Sequence, residues 1–196
     1  MLSYKDSLKV LKKTRALLEG HFVLSSGLHS NKYIQCAKLL SFPGLANKIC
    51  NSLSKKILKA FPFLDLILSP AMGGIVIGYE IGRQLNIETI FSERVGGKFK
   101  LRRGFSIKKG AKVLIMEDVI TTVKSSLDCA KLVKRAKGKL LGFACIIDRS
   151  DKKNLLIKKN KIVSQVKISI SVYKKNKLPT FLQKIPISTP GSRFLK

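Results

Sequence analysis

Val113-Leu114-Ile115-Met116-Glu117-Asp118-Val119-Ile120-Thr121-Thr122 is the stretch on which the reading of this chain turns. Four apolar residues run straight into two adjacent carboxylates, in a sequence of 196 residues that holds only 11 acids. A short apolar run of this kind predicts a buried strand. Adjacent strand residues point to opposite faces, and two like charges at a buried edge cost roughly several kcal/mol unless hydroxyls or cations satisfy them. Hydroxyls follow at once. Thr121, Thr122, Ser125 and Ser126 fall at the predicted start of the next helix, where free backbone amides and the helix dipole favour a phosphate. Carboxylates for sugar hydroxyls beside a hydroxyl-rich anion cradle describe a phosphorylated ribose. The plain alternative is a helix-capping Thr/Ser pair next to a surface ion pair.

Working outward, the same alternation recurs. Leu66-Ile67-Leu68 is an apolar run that breaks at Ser69-Pro70, and Gly73-Gly74 opens a helical stretch to Leu85. Ile87 to Phe91 predicts another strand, and Leu127, Ala130, Leu132, Val133 and Ala136 share a helical face before a strand from Leu140 to Ile147. Strand, helix, strand in this rhythm indicates βαβ units: an α/β fold with a parallel sheet and helices on both faces. Ligands of such sheets gather at the strand C-termini. Upstream, Leu45, Ile49, Leu53 and Ile57 predict a helix from Pro43 to Ala60, and the first 20 residues read as one amphipathic helix carrying Leu8, Leu11, Leu17 and Leu18. Residues 1–62 are expected to form a small helix-and-strand subassembly packed on the core. After Arg149, the alternation of Ile162, Val166, Ile168, Ile170 and Val172 predicts one or two closing strands, and Pro186 to Lys196 an extended tail. No internal repeat is found, and the expectation is a single domain over 1–196.

Composition limits the function classes. Lys plus Arg number 39 against 11 Asp plus Glu, for a formal charge of +28, yet 31 of the basic residues are Lys and they are spread along the whole chain. Base readout favours Arg, and single-strand binding wants aromatics interleaved with basic residues, so a dedicated nucleic-acid role is not the first reading. No apolar run reaches the roughly 18 residues a spanning helix needs, and no signal-peptide core precedes Gly20. The four cysteines, Cys36, Cys50, Cys129 and Cys145, form no C-x-x-C pair and read as free thiols of a reducing, cytoplasmic compartment. His21 and His29 have no metal-like spacing and read as packing side chains.

Glu117-Asp118-Val119-Ile120-Thr121-Thr122 resembles the phosphoribosyl-diphosphate motif of type I phosphoribosyltransferases, and the flanking segments are similar to the orotate phosphoribosyltransferase family. Those segments are Gly20-His21-Phe22, Leu24-Ser25-Ser26-Gly27, Ser69 to Gly78, Ser92-Glu93-Arg94 through Leu101-Arg102-Arg103-Gly104-Phe105, Asp148-Arg149-Ser150 and Pro190-Gly191-Ser192-Arg193. The resemblance implies transfer of a phosphoribosyl group from 5-phosphoribosyl 1-diphosphate to N1 of orotate, with Mg²⁺ held through substrate oxygens rather than a protein cage. It implies that Glu117 and Asp118 hold the ribose hydroxyls and favour an oxocarbenium-like transition state. Val119 to Ser125, that is Val119, Ile120, Thr121, Thr122, Val123, Lys124 and Ser125, would line the 5′-phosphate site, Ala71 and Gly73 the diphosphate loop, and Thr121 and Arg149 the orotate site. The basic segment 92–112 would be a flexible flap that brings Arg94 and a catalytic Lys98 over the leaving diphosphate and reaches into the partner of a homodimer. A plain hairpin is the alternative for that segment. Other readings of the whole are a phosphoribosyltransferase for another base, or a non-catalytic relative that senses the diphosphate substrate or binds RNA.

One departure from the family pattern stands inside the motif. Where the family continues Gly-Gly, this chain has Val123-Lys124. Glycines permit positive φ and close backbone approach to a phosphate, which a β-branched residue disfavours. Weaker capture of phosphoribosyl diphosphate than the family norm follows. The double variant Val123→Gly/Lys124→Gly is expected to lower the apparent KM for that substrate in steady-state kinetics; an unchanged KM would show the glycines to be dispensable.

Overall fold

The computed structural model describes residues 1–24, 26–122, 124–150 and 161–190. Ser25, Val123 and the Gly191-Ser192-Arg193 tail, all singled out above, lie outside the described residues.

The main sheet has six strands: β3 (Leu66–Pro70), β4 (Glu88–Val95), β5 (Lys98–Leu101), β6 (Lys112–Ile120), β7 (Lys139–Asp148) and β8 (Ile162–Lys167), in the order β5-β4-β3-β6-β7-β8. Every pairing is parallel except β4 with β5. Helix α4 (Gly73–Leu85) carries the chain from β3 outward to β4, and α5 (Lys124–Arg135) carries it from β6 in the other direction to β7. Crossovers are right-handed, so reversing direction across the sheet puts the two helices on opposite faces. The core confirms this. Ile67, Leu114, Met116 and Ile146 pack with Ile77 and Ile81 of α4 and with Leu53 and Ile57 of α3 (Pro43–Ala60). On the other face Leu68, Ile115, Phe143 and Cys145 pack with Cys129 and Val133 of α5. The place where the strand order reverses, between β3 and β6, is where an open α/β sheet offers a crevice.

Helix α4 lies close on the sheet because its inner face is small: a Cβ on Gly74 would stand 2.8 Å from the Met116 carbonyl oxygen, and those on Gly78 and Gly82 would strike Ser69 and Thr89.

The amino-terminal segment departs from expectation. Helix α1 runs only from Tyr4 to Lys13, capped by the Ser3 hydroxyl accepting from the Asp6 N–H at 3.1 Å. The chain turns at Arg15, whose φ is +57°, and Leu17 and Leu18 belong to β1 (Leu17–Val23), paired antiparallel with β2 (His29–Ile34). Their spacing from Leu8 and Leu11 imitates a helical face, but the backbone pairing decides the outcome. Nor is the subassembly made from residues 1–62 alone. Helix α3 covers the main sheet, and the free edges of β1 and β2 are filled from the far end of the chain by β10 (Ile187–Ser188) and β9 (Val172–Tyr173), in the order β10-β1-β2-β9. The segment predicted as an extended tail thus pairs with β1. His21 and His29 are buried against each other there, with His21 Nε2 2.7 Å from His29 Nδ1 and His21 Nδ1 3.2 Å from the Ile185 carbonyl.

The basic segment 92–112 opens as a hairpin on the sheet edge rather than as an irregular loop. Strand β4 continues to Val95, turns through Gly96 and Gly97, and returns as β5. Phe99 and Ile107 are buried in the α5-side core, which holds the hairpin to the body.

Candidate active site

Strand β6 continues to Ile120 instead of ending at Met116, its last residues pairing with Ile147 and Asp148 of β7. The two carboxylates therefore sit within the strand, with an alternation that follows from the core. Leu114 and Met116 face α4 and Val113 and Ile115 face α5, so with a period of two Glu117 continues toward α5 and Asp118 toward α4.

The contacts follow that division. Glu117 Oε1 accepts from Ser126 Oγ of α5 at 2.6 Å. Asp118 Oδ1 accepts from the Val119 N–H at 2.8 Å, and its carboxylate lies under the start of α4, where a Cβ on Gly73 would come within 2.9 Å of it. Only a residue without a side chain fits there. The Cys36 thiol, from α2 (Cys36–Leu40), stands 3.8 Å from the Asp118 carbonyl oxygen.

Burial dominates the electrostatics. The Glu117 carboxyl is pushed up to about 7, first by desolvation and further by the Asp118 charge, while the Ser126 hydroxyl pulls it back. Asp118 is also raised by burial, against hydrogen bonds that favour its charged form. Desolvation lifts Cys36 and Cys145 well above the usual range, so both are neutral.

Beyond the carboxylates, Glu117, Val119, Ile120, Thr121, Thr122, Lys124, Ser125 and Ser126 line a cleft of about 70 Å³. Thr121, Thr122 and Lys124 are exposed at its rim and Ser125 half-buried, at the first turn of α5, whose free amides suit an anion. Arg149 follows β7, and its backbone N–H donates to the Ile120 carbonyl at the end of β6 at 2.8 Å. Its guanidinium is half-buried, with its own ionisation lowered by desolvation, and its buried Nε has no hydrogen-bond partner among the described residues. The residues expected on β6, at the start of α4, in the α5 turn and after β7 are thus brought together at the reversal of strand order. Arg94 and Lys98 are not. Arg94 donates to the Gly97 carbonyl at 2.6 Å and lies 4.3 Å from the centre of the Phe99 ring. The Lys98 side chain is exposed at the start of β5. Arg102 and Arg103, at 3.4 and 2.9 Å, are held by Glu93.

Two contacts were not assigned from the sequence. Ser126 counted there only as one hydroxyl among four, and Cys36, 82 residues from Asp118, only as a free thiol.

Residues 43–178 match the Phosphoribosyl transferase domain family. The chain is 44% identical over 189 residues to an orotate phosphoribosyltransferase of Caldicellulosiruptor saccharolyticus, covering 96% of this chain and 97% of that one. This chain belongs to the orotate phosphoribosyltransferase family. Among solved structures it is similar to orotate phosphoribosyltransferase from Aeropyrum pernix (TM-score 0.69, 22% identity, 82% of this chain and 92% of that one). It is also similar to adenine phosphoribosyltransferase from Saccharomyces cerevisiae (TM-score 0.64, 18% identity, 81% and 99%). At these identities the two structures speak for the fold that family members share, and relatives named for different bases have it.

The buried Glu117 carboxyl has a consequence for stability. A native value near 7 in place of 4.5 means that the folded chain holds a proton the unfolded chain has lost. Stability therefore falls as pH rises from about 4.5 to 7, by about 3 kcal/mol at roughly 1.4 kcal/mol per pH unit. Glu117→Gln is expected to stabilise the protein by about 1–3 kcal/mol at pH 8 and by much less near pH 5, read by thermal unfolding at the two pH values.

Proposed function

We infer that this chain transfers the phosphoribosyl group of 5-phosphoribosyl 1-diphosphate to orotate, giving orotidine 5′-monophosphate and diphosphate, a step of pyrimidine nucleotide synthesis. The observation that carries the choice of base is Arg149. A half-buried guanidinium whose buried Nε has no partner among the described residues is a donor tied by its backbone to the end of the carboxylate strand. A planar anion such as orotate matches its rigid fork; a neutral purine has no negative charge to set against it.

The roles of the other residues follow from chemistry. Glu117 and Asp118 receive the 2′ and 3′ hydroxyls. As the C1′–oxygen bond to diphosphate lengthens, its electron pair leaves with the diphosphate, and the sugar becomes cationic. Two fixed carboxylates favour that charge more than the neutral ground state. N1 of orotate then forms the new bond to C1′, and its proton is lost. Thr121, Thr122, Ser125 and the amides of the α5 turn take the 5′-phosphate, with the Lys124 ammonium at the cleft rim partly offsetting the missing glycines. Ala71 and Gly73 lie against the diphosphate.

Mg²⁺ fits this site as a substrate-held ion. A paired carboxylate beside a diphosphate suits an ion that keeps its waters and phosphate oxygens. When bound, it neutralises charge on the departing diphosphate.

The reading extends to assembly. The exposed face of Met72, Val76 and Tyr79 at and after the start of α4 supports a homodimer, and the basic β4–β5 hairpin, with Arg94 and Lys98, supports a flap shared between its subunits. Four free, buried cysteines agree with a reducing cytoplasm. Among the described residues no helix is long and apolar enough to cross a membrane.

Orotate absorbance followed with Mg²⁺ and phosphoribosyl diphosphate tests the assignment. Orotate is expected to disappear only with both substrates present, and Arg149→Ala to cut kcat/KM for orotate by about 100-fold, as loss of a charged hydrogen-bond donor does. Turnover of adenine but not orotate, or no turnover at all, would refute it.

A further inference from the structure

Ser126 is fully buried in the first turn of α5. A helical serine commonly bonds back to its own helix or faces solvent. This one reaches across to the sheet, and its 2.6 Å bond to Glu117 Oε1 falls in the short range of hydroxyl-to-carboxylate bonds. Nothing else among the described residues donates to that carboxylate. On β6 its charged neighbour is Asp118, which repels it. Helix α5 faces it with Cys129 and β7 with Cys145, both thiols raised by burial and neutral. At the exposed start of α5 stand Lys124 and Asp128, the latter paired with Lys131. On β4, Arg94 is engaged by Gly97 and Phe99, and β3 presents only Leu66 and Leu68 to this face.

We propose that Ser126 is a positioning residue: its hydroxyl occupies one oxygen of Glu117, turns the other toward the sugar, and holds the carboxylate in its charged form. The proposal rests on the reading of this cleft as the ribose site. Its logic is that of a buried donor. A carboxylate that has lost its one hydrogen bond in an apolar setting retreats to the neutral acid, which accepts sugar hydroxyls poorly and offers no charge to a cationic sugar. The Thr/Ser run after β6 therefore divides its work. All four hydroxyl residues border the cleft, but among the described residues only Ser126 gives its hydroxyl to the carboxylate.

The test titrates the ligand-free full chain carrying ¹³C at the glutamate carboxyls, of which the sequence has five, with Glu117 assigned by its loss in Glu117→Gln. Wild-type Glu117 is expected to titrate near 7. Ser126→Ala is expected to move it upward by about one pH unit, a tenfold change in the proton equilibrium. The acidic limb of kcat/KM for phosphoribosyl diphosphate moves with it, so that the variant is about fivefold impaired at pH 7, about tenfold well below that pH, and close to wild type at pH 9. Ser126→Thr, which keeps the hydroxyl, restores the profile. Ser126→Cys, of similar volume and weaker as a donor, shifts it part of the way and serves if the alanine variant does not fold. A Glu117 titration unmoved by loss of the hydroxyl, or a loss of activity equal at every pH, would overturn the proposal and leave Ser126 a packing residue. A Glu117 shift in Ser126→Ala, when the wild-type chain itself transfers no phosphoribosyl group, would instead overturn the functional reading while the hydroxyl–carboxylate contact stood.

Discussion

Two carboxylates at consecutive positions of a buried strand are the constraint around which this structure is organised. Strand geometry sends Glu117 and Asp118 to opposite faces, so each must be accommodated by a different helix. Glu117 receives the Ser126 hydroxyl from α5. Asp118 receives the Val119 N–H and a helix start without a side chain at Gly73. The reversal of strand order between β3 and β6 is what makes this possible, because only there do helices rise from neighbouring strand ends on both faces. The crevice and the carboxylates are consequences of one topology.

Burial is then the source of both chemistry and instability. Desolvation raises Glu117 and Asp118 because the hydroxyl and amide donors that replace water around them offset only part of the lost hydration. An unliganded molecule carries that cost, and a substrate with hydroxyls and a developing positive charge relieves it. The same argument applies to Arg149, whose half-buried guanidinium has a donor without a partner among the described residues. The acid pair near the end of β6 and the cation that follows β7 stand at the ends of two paired strands. A chain with a net charge of +28 surrounds both with a field that favours substrates rich in phosphate.

Much of this is legible in the residues themselves. Pro43 to Ala60 and Gly73 to Leu85 form helices because their apolar spacing and their Pro or Gly starts agree with one another. The β6 carboxylates and the hydroxyls after them are adjacent in sequence, so their grouping needs no tertiary information. Pairings between distant segments are different. Leu17 and Leu18 fit a helical face as well as a strand, and it is the partnership of β1 with β2 and with β10 that selects the strand. Strand β6 outlasts its apolar run because β7 pairs with it through Ile120. The hairpin after β4 is set by Gly96-Gly97 and by Phe99 finding the α5-side core. Ser126 and Ser125 look alike in sequence; only the helical rotation separates the half-buried one at the cleft from the fully buried one bonded to Glu117.

The central claim is that Glu117 and Asp118 hold the ribose of the diphosphate substrate at the β3–β6 reversal. A crystal structure of the chain with 5-phosphoribosyl 1-diphosphate and Mg²⁺ tests it most directly. The account predicts the 2′ and 3′ hydroxyls within hydrogen-bond distance of these two carboxylates, with Ser126 still bound to Glu117 and the 5′-phosphate at the first turn of α5. A sugar bound elsewhere, or carboxylates that make no contact with it, would contradict the account.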